Sequence, residues 1–240
     1  MVGIGKAADK GILIKDASAL EVLRKIDVLV TDKTGTLTIP NKNVDFTKAD
    51  SLAFDARETL KPNARKAMEE LQQSGIEVYM MSGDKEEAVG YWASKAGIKH
   101  YKSQVMPQDK EKLVKELQAD GKCVAMVGDG VNDMQALALA NASIAIGKGT
   151  DVAMDVAQVT LMGDDLQMLP DAVKLSRHTV RMIWQNLFWA FIYNLICIPL
   201  AAGLLYAFGI DWQITPSWAS ALMAFSSVSV VLNSLRLKYM

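Results

Sequence analysis

The chain has 240 residues, half of them apolar, and its 26 basic and 27 acidic side chains cancel to a formal charge of −1. That length admits one soluble domain of ordinary size with a short membrane element and excludes a polytopic transporter with several soluble domains. Near-neutral charge without a basic run argues against a nucleic-acid binder. The charge is unevenly placed, since beyond Arg181 only Asp211, Arg236 and Lys238 are charged, which leaves 50 of the 53 charges in the first 181 positions.

In chain order, Met1 to Lys10 hold no apolar stretch of the signal-peptide kind, so the soluble part is expected in the cytosol. Ile26 to Val30, Glu77 to Met81, Cys123 to Val127 and Ser143 to Ile146 read as strands buried on both faces. Pro62 to Gln73, Lys85 to Ala96, Asp109 to Gln118 and Asp133 to Ala140 carry helical spacing. Strand alternating with helix predicts an α/β fold, a parallel sheet with helices on both faces. Ile39 to Arg57 hold Pro, Asn, Asp, Lys and Ser without periodicity and read as a loop or linker. Three strands run into polar turns, Thr31-Asp32-Lys33, Ser82-Gly83-Asp84 and Gly128-Asp129-Gly130. Open parallel sheets bind ligands at the carboxyl ends of their strands, so these turns are expected to share one crevice.

Further on, 29 uncharged residues run from Met182 to Ile210 and 24 from Trp212 to Leu235. Each is long enough to cross a bilayer core as a helix. Lys174, Arg177 and Arg181 precede the first run and Arg236 and Lys238 follow the second, which places both ends in the cytosol by the positive-inside rule. Trp184, Trp189, Tyr206, Trp212 and Trp218 lie toward the segment ends, as an interfacial belt requires. The domains expected are a cytosolic domain over 1–168, with 39–57 as its linker, and a two-helix transmembrane hairpin over 169–240. Cys123 and Cys197, 74 residues apart with neither a CxxC nor a nearby His, make no disulfide framework or zinc site, and both read as packing residues.

The chemistry concentrates at the strand ends. A carboxylate there, Asp32, followed by Thr34, Gly35 and Thr36, can attack phosphorus if cations and oriented donors offset the combined negative charge. Asp129 and Asp133, flanking Gly130-Val131-Asn132, suit a hard cation, with magnesium expected. Lys110, near the start of a helix, can offset charge in the same crevice, and the Ser82 hydroxyl can bind a phosphoryl oxygen. Taken singly, an Asp-Gly turn is only a turn and a lone lysine only a solvated side chain.

Asp32-Lys-Thr-Gly-Thr-Leu-Thr38 and Met126-Val-Gly-Asp-Gly-Val-Asn-Asp-Met-Gln-Ala-Leu137 together resemble the P-type ATPases, ion pumps whose phosphorylation domain is haloacid dehalogenase-like. The resemblance implies that Asp32 accepts the γ-phosphoryl group of ATP. It also implies that Asp32, the Thr34 carbonyl and Asp129 hold Mg2+, that Lys110 balances charge, and that Ser82 stands for the family's usual threonine. Gly83, Asp84, Asn132 and Asp133 fall in the segments expected to bind the cofactor. Glu58-Thr-Leu-Lys-Pro62 is similar to the family's Asp-X-Leu-Lys segment, with Glu58 in the aspartate's place and its role open.

Within the spans, Tyr193-Asn194 and Met223-Ala-Phe-Ser-Ser227 place polar and soft groups at membrane depth, with Met223 and Ser227 on one helix face. A thioether favours a soft ion such as Cu(I), and no Asp, Glu or Lys is present for a harder one. Interhelical hydrogen bonding and gap filling are the plainer alternative. The segments Tyr193-Asn194 with Ile198-Pro-Leu-Ala-Ala-Gly203, and Met223 to Leu237, are similar to the last two membrane helices of copper-transporting members. That likeness implies Tyr193, Asn194, Met223 and Ser227 as Cu(I) ligands. The opening, Met1 to Glu21, also resembles the entry to the phosphorylation domain; its Gly3-x-Gly5 is too short for a dinucleotide site.

The expectation is thus the last part of a copper(I)-exporting pump, a two-pass protein of the plasma or inner membrane. Membrane lipid and the copper ion are its partners, the missing helices and domains could sit on a separate chain, and no nucleic acid is involved. Nineteen residues from Ile39 to Arg57 cannot make a nucleotide-binding domain, which speaks against ATP binding by the chain alone. The alternatives are a membrane-anchored phosphatase using Asp32 and magnesium, and a non-catalytic regulator or partner of a full pump.

Overall fold

The computed structural model describes residues 2–41, 53–129, 131–147, 155–204, 208–209 and 215–236. The chain packs as two compact units, Ala7–Ser176 and Met1–Lys6 with Arg177–Met240.

Within the first unit a seven-stranded sheet is built from β1 (Ile12–Ile14), β2 (Val28–Asp32), β5 (Glu77–Met81), β6 (His100–Lys102), β7 (Val124–Gly128), β8 (Ala142–Ile146) and β9 (Val159–Leu161). Its order is β1-β9-β8-β7-β2-β5-β6, parallel throughout except for β1 at one edge, which runs antiparallel to β9. All five residues of β7 and of β8 are buried. Because successive strand residues face opposite sides, both faces of the sheet are covered, as the uninterrupted apolar runs predict. Two faces of packing account for this. Val28, Val30, Val124 and Met126 meet Leu113 and Val114 of α6 (Pro107–Ala119) and Ala136 and Leu137 of α7 (Met134–Leu139). The helices α4 (Ala64–Gln73) and α5 (Glu86–Ala96) bury Ala64, Ala67, Met68 and Leu71, and Val89, Trp92, Ala93 and Ala96, at the spacing of one helical face.

The strands and helices expected in the α/β unit all form, with ends displaced by up to two residues. β2 begins at Val28 because the Asp27 and Val28 amides both donate to the Cys123 carbonyl, fixing the turn before the ladder starts. Elements the pattern did not suggest are α1 (Val2–Asp9), α2 (Ala17–Leu23), β1, β6 and β9; three-residue strands are too short to show a period. The segment expected as a loop or linker carries secondary structure at its described ends. Ile39 and Pro40 belong to β3 (Thr38–Pro40), which pairs antiparallel with β4 (Glu58–Leu60), and Phe54–Arg57 form the short helix α3. Residues 42–52 of that segment lie outside the described residues.

The second unit is dominated by α8 (Met168–Ala201), whose first turns belong to the other unit, and by α9 (Pro216–Arg236). Asn186 donates to the Ser234 hydroxyl at 2.8 Å, and Asn233 donates to the Asn186 amide oxygen at 2.8 Å. Interhelical amide bonds of this kind hold apolar helices together where no hydrophobic difference does. Gly3 of α1 lies against Thr179, where a Cβ would come within 2.6 Å of the threonine side chain. Among the described residues α8 is the one helix long and apolar enough to cross a membrane. The second expected span starts outside the described residues, and its described part, α9, is 21 residues with six serines. Of the expected aromatic belt, Trp184, Trp189 and Trp218 are exposed, while Tyr206 and Trp212, like Asp211, lie outside the described residues.

Candidate functional site

Three strand ends converge because β2 lies between β5 and β7. Asp32 closes β2 opposite Met81, so Ser82 follows one residue beyond, and Thr31 pairs with Val127, so Asp129 follows Gly128 on the other side. The turn after Asp32 is tight. The Leu37 and Thr38 amides donate to the Lys33 carbonyl, and the Gly35 amide donates to the Thr38 carbonyl. Gly35 has φ +75°, and a Cβ there would stand 1.6 Å from Asp129 Oδ2, so only glycine lets the two turns approach this closely. At Gly128 a Cβ would stand 2.6 Å from Asp133 Oδ2, and the missing side chain is what admits that carboxylate. Asp133 ends a 3-10 turn, Val131–Asp133, that leads into α7.

Lys110 sits in the first turns of α6, which opens with Pro107 and with the Asp109 carboxylate accepting from the Met106 amide at 2.8 Å. Its buried ammonium reaches Asp32 Oδ1 at 2.5 Å and Asp133 Oδ1 at 2.7 Å. Carboxylate oxygens of Asp32, Asp129 and Asp133 all lie within 4.8 Å of one another. Burial pushes the Asp32 carboxyl above its usual range, with Lys110 opposing and Asp133 adding to the rise. Asp129 is raised by burial and by Asp32, and Asp133 by burial against the pull of Lys110. For Lys110, burial acts downward but is outweighed by Asp32 and Asp133, so its pKa lies above the usual lysine value. Three carboxylates against one ammonium leave two negative charges, the charge of one divalent cation, and hard oxygen donors suit Mg2+. The residues present therefore fit the expected metal.

Of the other predicted residues, Ser82 is buried at the end of β5, its hydroxyl accepting from the Asp84 amide at 3.3 Å. Thr34, Gly83 and Asn132 are exposed at the same edge of the sheet. Asp84 is held by a partner the sequence did not suggest, since Lys33, 1% exposed, places its ammonium 2.7 Å from Asp84 Oδ2 and 2.5 Å from Glu58 Oε2. Glu58 also accepts from the Thr38 hydroxyl at 2.9 Å. Glu58 thus ties β4 to the turn that carries Asp32. Lys61, 5% exposed, pairs with Asp164 at 3.0 Å and draws Asp129 downward electrostatically.

In the second unit Tyr193, Asn194, Met223 and Ser227 line one cleft of about 200 Å3, together with Cys197, Leu222 and Ser226. Asn194 donates to the Ala190 carbonyl at 3.0 Å and Ser227 to the Met223 carbonyl at 3.2 Å, so each side chain's oxygen is the atom left to meet a cation. Cys197, expected to pack, is half-buried and lines this cleft; the available signal was its spacing of four from Tyr193, which puts both on one face. Cys123 is half-buried too, its sulfur 4.0 Å from the Val22 carbonyl, and burial raises its pKa.

The haloacid dehalogenase-like hydrolase family matches residues 42–141. A copper-exporting P-type ATPase of Legionella pneumophila is 35% identical over 339 aligned positions, covering 99% of this chain and 46% of the relative. Those positions outnumber the chain's 240 residues by 99, so the relative carries at least that much sequence with no counterpart here. A probable copper-transporting ATPase of Synechocystis is 50% identical over 75% of this chain and 24% of its own length. The solved structure of a zinc-transporting PIB-type ATPase in its E2.Pi state shares the fold, with a TM-score of 0.81 at 23% identity, covering 98% of this chain and 54% of that one. The chain spans less than half the length of these curated relatives. With sequence likeness along nearly its whole length, the chain belongs to the P-type ATPase family and carries that family's haloacid dehalogenase-like domain.

Proposed function

We propose that the chain supplies the phosphoryl-transfer step and part of the ion path of a copper(I)-exporting pump. The observation that carries the reading is Asp32 at a strand end, 2.5 Å from the Lys110 ammonium and sharing a two-charge deficit with Asp129 and Asp133. Asp32, the Thr34 carbonyl and Asp129 would hold magnesium, which when bound neutralises charge between carboxylate and phosphate. The chain's own residues do the rest. An Asp32 carboxylate oxygen attacks phosphorus as the bond to the leaving oxygen breaks, giving an aspartyl phosphate that water later hydrolyses to carboxylate and phosphate. Lys110 offsets the charge of nucleophile and phosphoryl oxygens, and the Ser82 hydroxyl donates to one of those oxygens. Gly83, Asp84, Asn132 and Asp133 shape the crevice around it.

The cleft residues Tyr193, Asn194, Met223 and Ser227 supply oxygen and thioether donors for Cu(I), with both spans in the membrane and the α/β unit in the cytosol. ATP is the donor of the whole pump, but the connector between β3 and β4 holds no nucleotide-binding domain. The chain alone is therefore assigned phosphorylation from small acyl phosphates and not pumping. In the presence of Mg2+ it should be labelled by acetyl phosphate and take up beryllium fluoride, and Asp32→Asn should abolish both. Failure of the intact chain to do either defeats the reading. A second reading, a membrane-anchored phosphatase, is favoured by the connector's closing as a short β3–β4 pair beside an open cavity. Steady turnover of a phosphate monoester by the purified chain distinguishes it.

A further inference from the structure

Within the second unit, where α8 meets the last turns of α9, a recess of about 170 Å3 is lined by His178, Arg181, Met182 and Gln185 of α8 and by Asn233 and Arg236 of α9. Asn233 also donates to the Asn186 amide oxygen at 2.8 Å, so the hydrogen-bonded seam between the helices borders the recess. Arg181 directly precedes the first uncharged run and Arg236 directly follows the second, which brings two guanidiniums to one end of the hairpin. Like charges at one recess repel, and no side chain lining it offsets them. Among the described residues neither arginine forms an ion pair. Asp171 is taken by Lys10, and beyond it the one acidic side chain is Asp211, at the other end of the second run. The lining therefore leaves two positive charges for an anion to meet.

We propose that this recess binds the phosphate headgroup of an anionic phospholipid of the cytosolic leaflet. A guanidinium presents its N–H groups as a planar fork matched to phosphate oxygens, and two forks can hold the two free oxygens of one phosphodiester. Neutral N–H donors of His178, Gln185 and Asn233 stand beside them. Size argues for a headgroup and not a whole soluble ligand, since the recess is smaller than small-molecule sites, which run to about 300–1,000 Å3. The rest of a lipid has a surface to lie on. Trp184 is three residues from Arg181 and Leu232 four from Arg236, so each continues its arginine's helix face away from the charged end, and both are exposed. With no carboxylate in the lining, the ammonium of a zwitterionic headgroup finds no partner there, so the recess selects net negative lipid. The lipid source rests on the reading of α8 and α9 as membrane spans; the preference for an anion rests on the lining alone.

The test takes the full chain in detergent, adds phosphatidylglycerol and phosphatidylcholine in equal amounts, and counts retained lipid by native mass spectrometry. The expected result is preferential retention of phosphatidylglycerol. A basic side chain near anionic lipid contributes about 1 kcal/mol, so Arg181→Gln and Arg236→Gln should each reduce that preference about fivefold, and the two together should abolish it. Both arginines are exposed, so neither change disturbs packing. Arg177→Gln removes the same charge from a residue that does not line the recess, and it should leave the preference unchanged. Arg181→Lys keeps the charge without the fork and should fall between the unaltered chain and Arg181→Gln. Equal losses in all three glutamine variants would mean diffuse attraction to a basic end and would overturn the recess, as would equal retention of the two lipids. Displacement of phosphatidylglycerol by millimolar inorganic phosphate would rule out lipid as the occupant. Alkaline extraction of membranes holding the chain tests the spans separately. Release of the chain defeats the membrane reading and the lipid source with it, whereas a chain that stays embedded without headgroup preference defeats the recess alone.

Discussion

The two candidate sites differ in how they declare a ligand. At the strand ends of the α/β unit, three carboxylates lie within 4.8 Å of one another, one buried and two half-buried, a buried ammonium reaches two of them, and their charges do not cancel. In the hairpin cleft no side chain is charged, and the donors are a phenol, an amide, hydroxyls, a thioether and a thiol on two helix faces. Charge in a low-dielectric setting specifies a partner by sign and magnitude, while neutral donors specify it by softness alone. The first site should therefore respond steeply to single substitutions and the second gradually.

The sharpest break of that contrast is at Lys110. In Lys110→Met the three carboxylates lose their fixed counter-charge, so acetyl phosphate labelling should fall about 10²–10³-fold, the usual cost of one oriented donor at a charge-developing centre. Magnesium should bind more tightly, because the site then holds three uncompensated negative charges. A kinetic label and an isothermal titration would thus move in opposite directions; parallel losses would mean that Lys110 only holds the fold.

Next in size is Glu58. The Lys33 ammonium is 2% exposed and is shared between Glu58 and Asp84. Breaking a buried pair typically costs about 3–5 kcal/mol, and because Asp84 remains, Glu58→Leu should cost about 2–3 kcal/mol in denaturant unfolding. A change under about half a kcal/mol would show that the connector is not tied to the Asp32 turn. Gly35→Ala follows, with about 1–2 kcal/mol of left-handed strain and a Cβ that displaces Asp129 from the cluster. Its signature is a loss of magnesium-dependent labelling larger than the shift in melting.

Much of the first site was legible because phosphoryl transfer needs its groups contiguous at strand ends, so Asp32 to Thr38 and Gly128 to Asp133 appear as unbroken runs. Lys110, 78 residues from Asp32, was visible through its place at the opening of a helix. The Lys33–Glu58–Thr38 knot was not legible, since it exists only because β3 pairs with β4 across the connector, and a segment without periodicity gives no sign of closing. The same limit hid β1, β6 and β9. In the hairpin, Cys197 lay in an apolar run that reads equally as packing, and only the seam between α8 and α9 places it beside Met223.

A gradual response is expected there. Met223→Leu keeps the volume and removes the thioether, and should weaken Ag(I) or Cu(I) binding on the order of tenfold, as measured by chelator competition. Cys197→Ala should weaken it by less, because the sequence resemblance assigns the ligand role to the other four residues. If Cys197→Ala has the larger effect, the soft character of the cleft comes from its thiol.

The smallest effect concerns the connector's outer anchor. Asp55 is exposed, and hydrogen bonds from Lys95 and Tyr91 hold its carboxyl below the usual carboxylate value of 3.8. A carboxyl with a depressed folded pKa binds fewer protons folded than unfolded as pH falls, so its stabilising contribution is present above pH 3.8 and is lost as pH drops through the folded value. Lys95, raised above 10.5 by Asp55 and then by Tyr91, keeps its contribution below that value and loses it as pH rises through the folded one. The anchor is thus intact between these limits, and salt should weaken it because both partners face water. Carbon-detected NMR titration of Asp55 should give a midpoint below 3.8 that returns upward in Lys95→Ala. An ordinary midpoint in the unaltered chain would mean that Tyr91 and Lys95 do not anchor the connector.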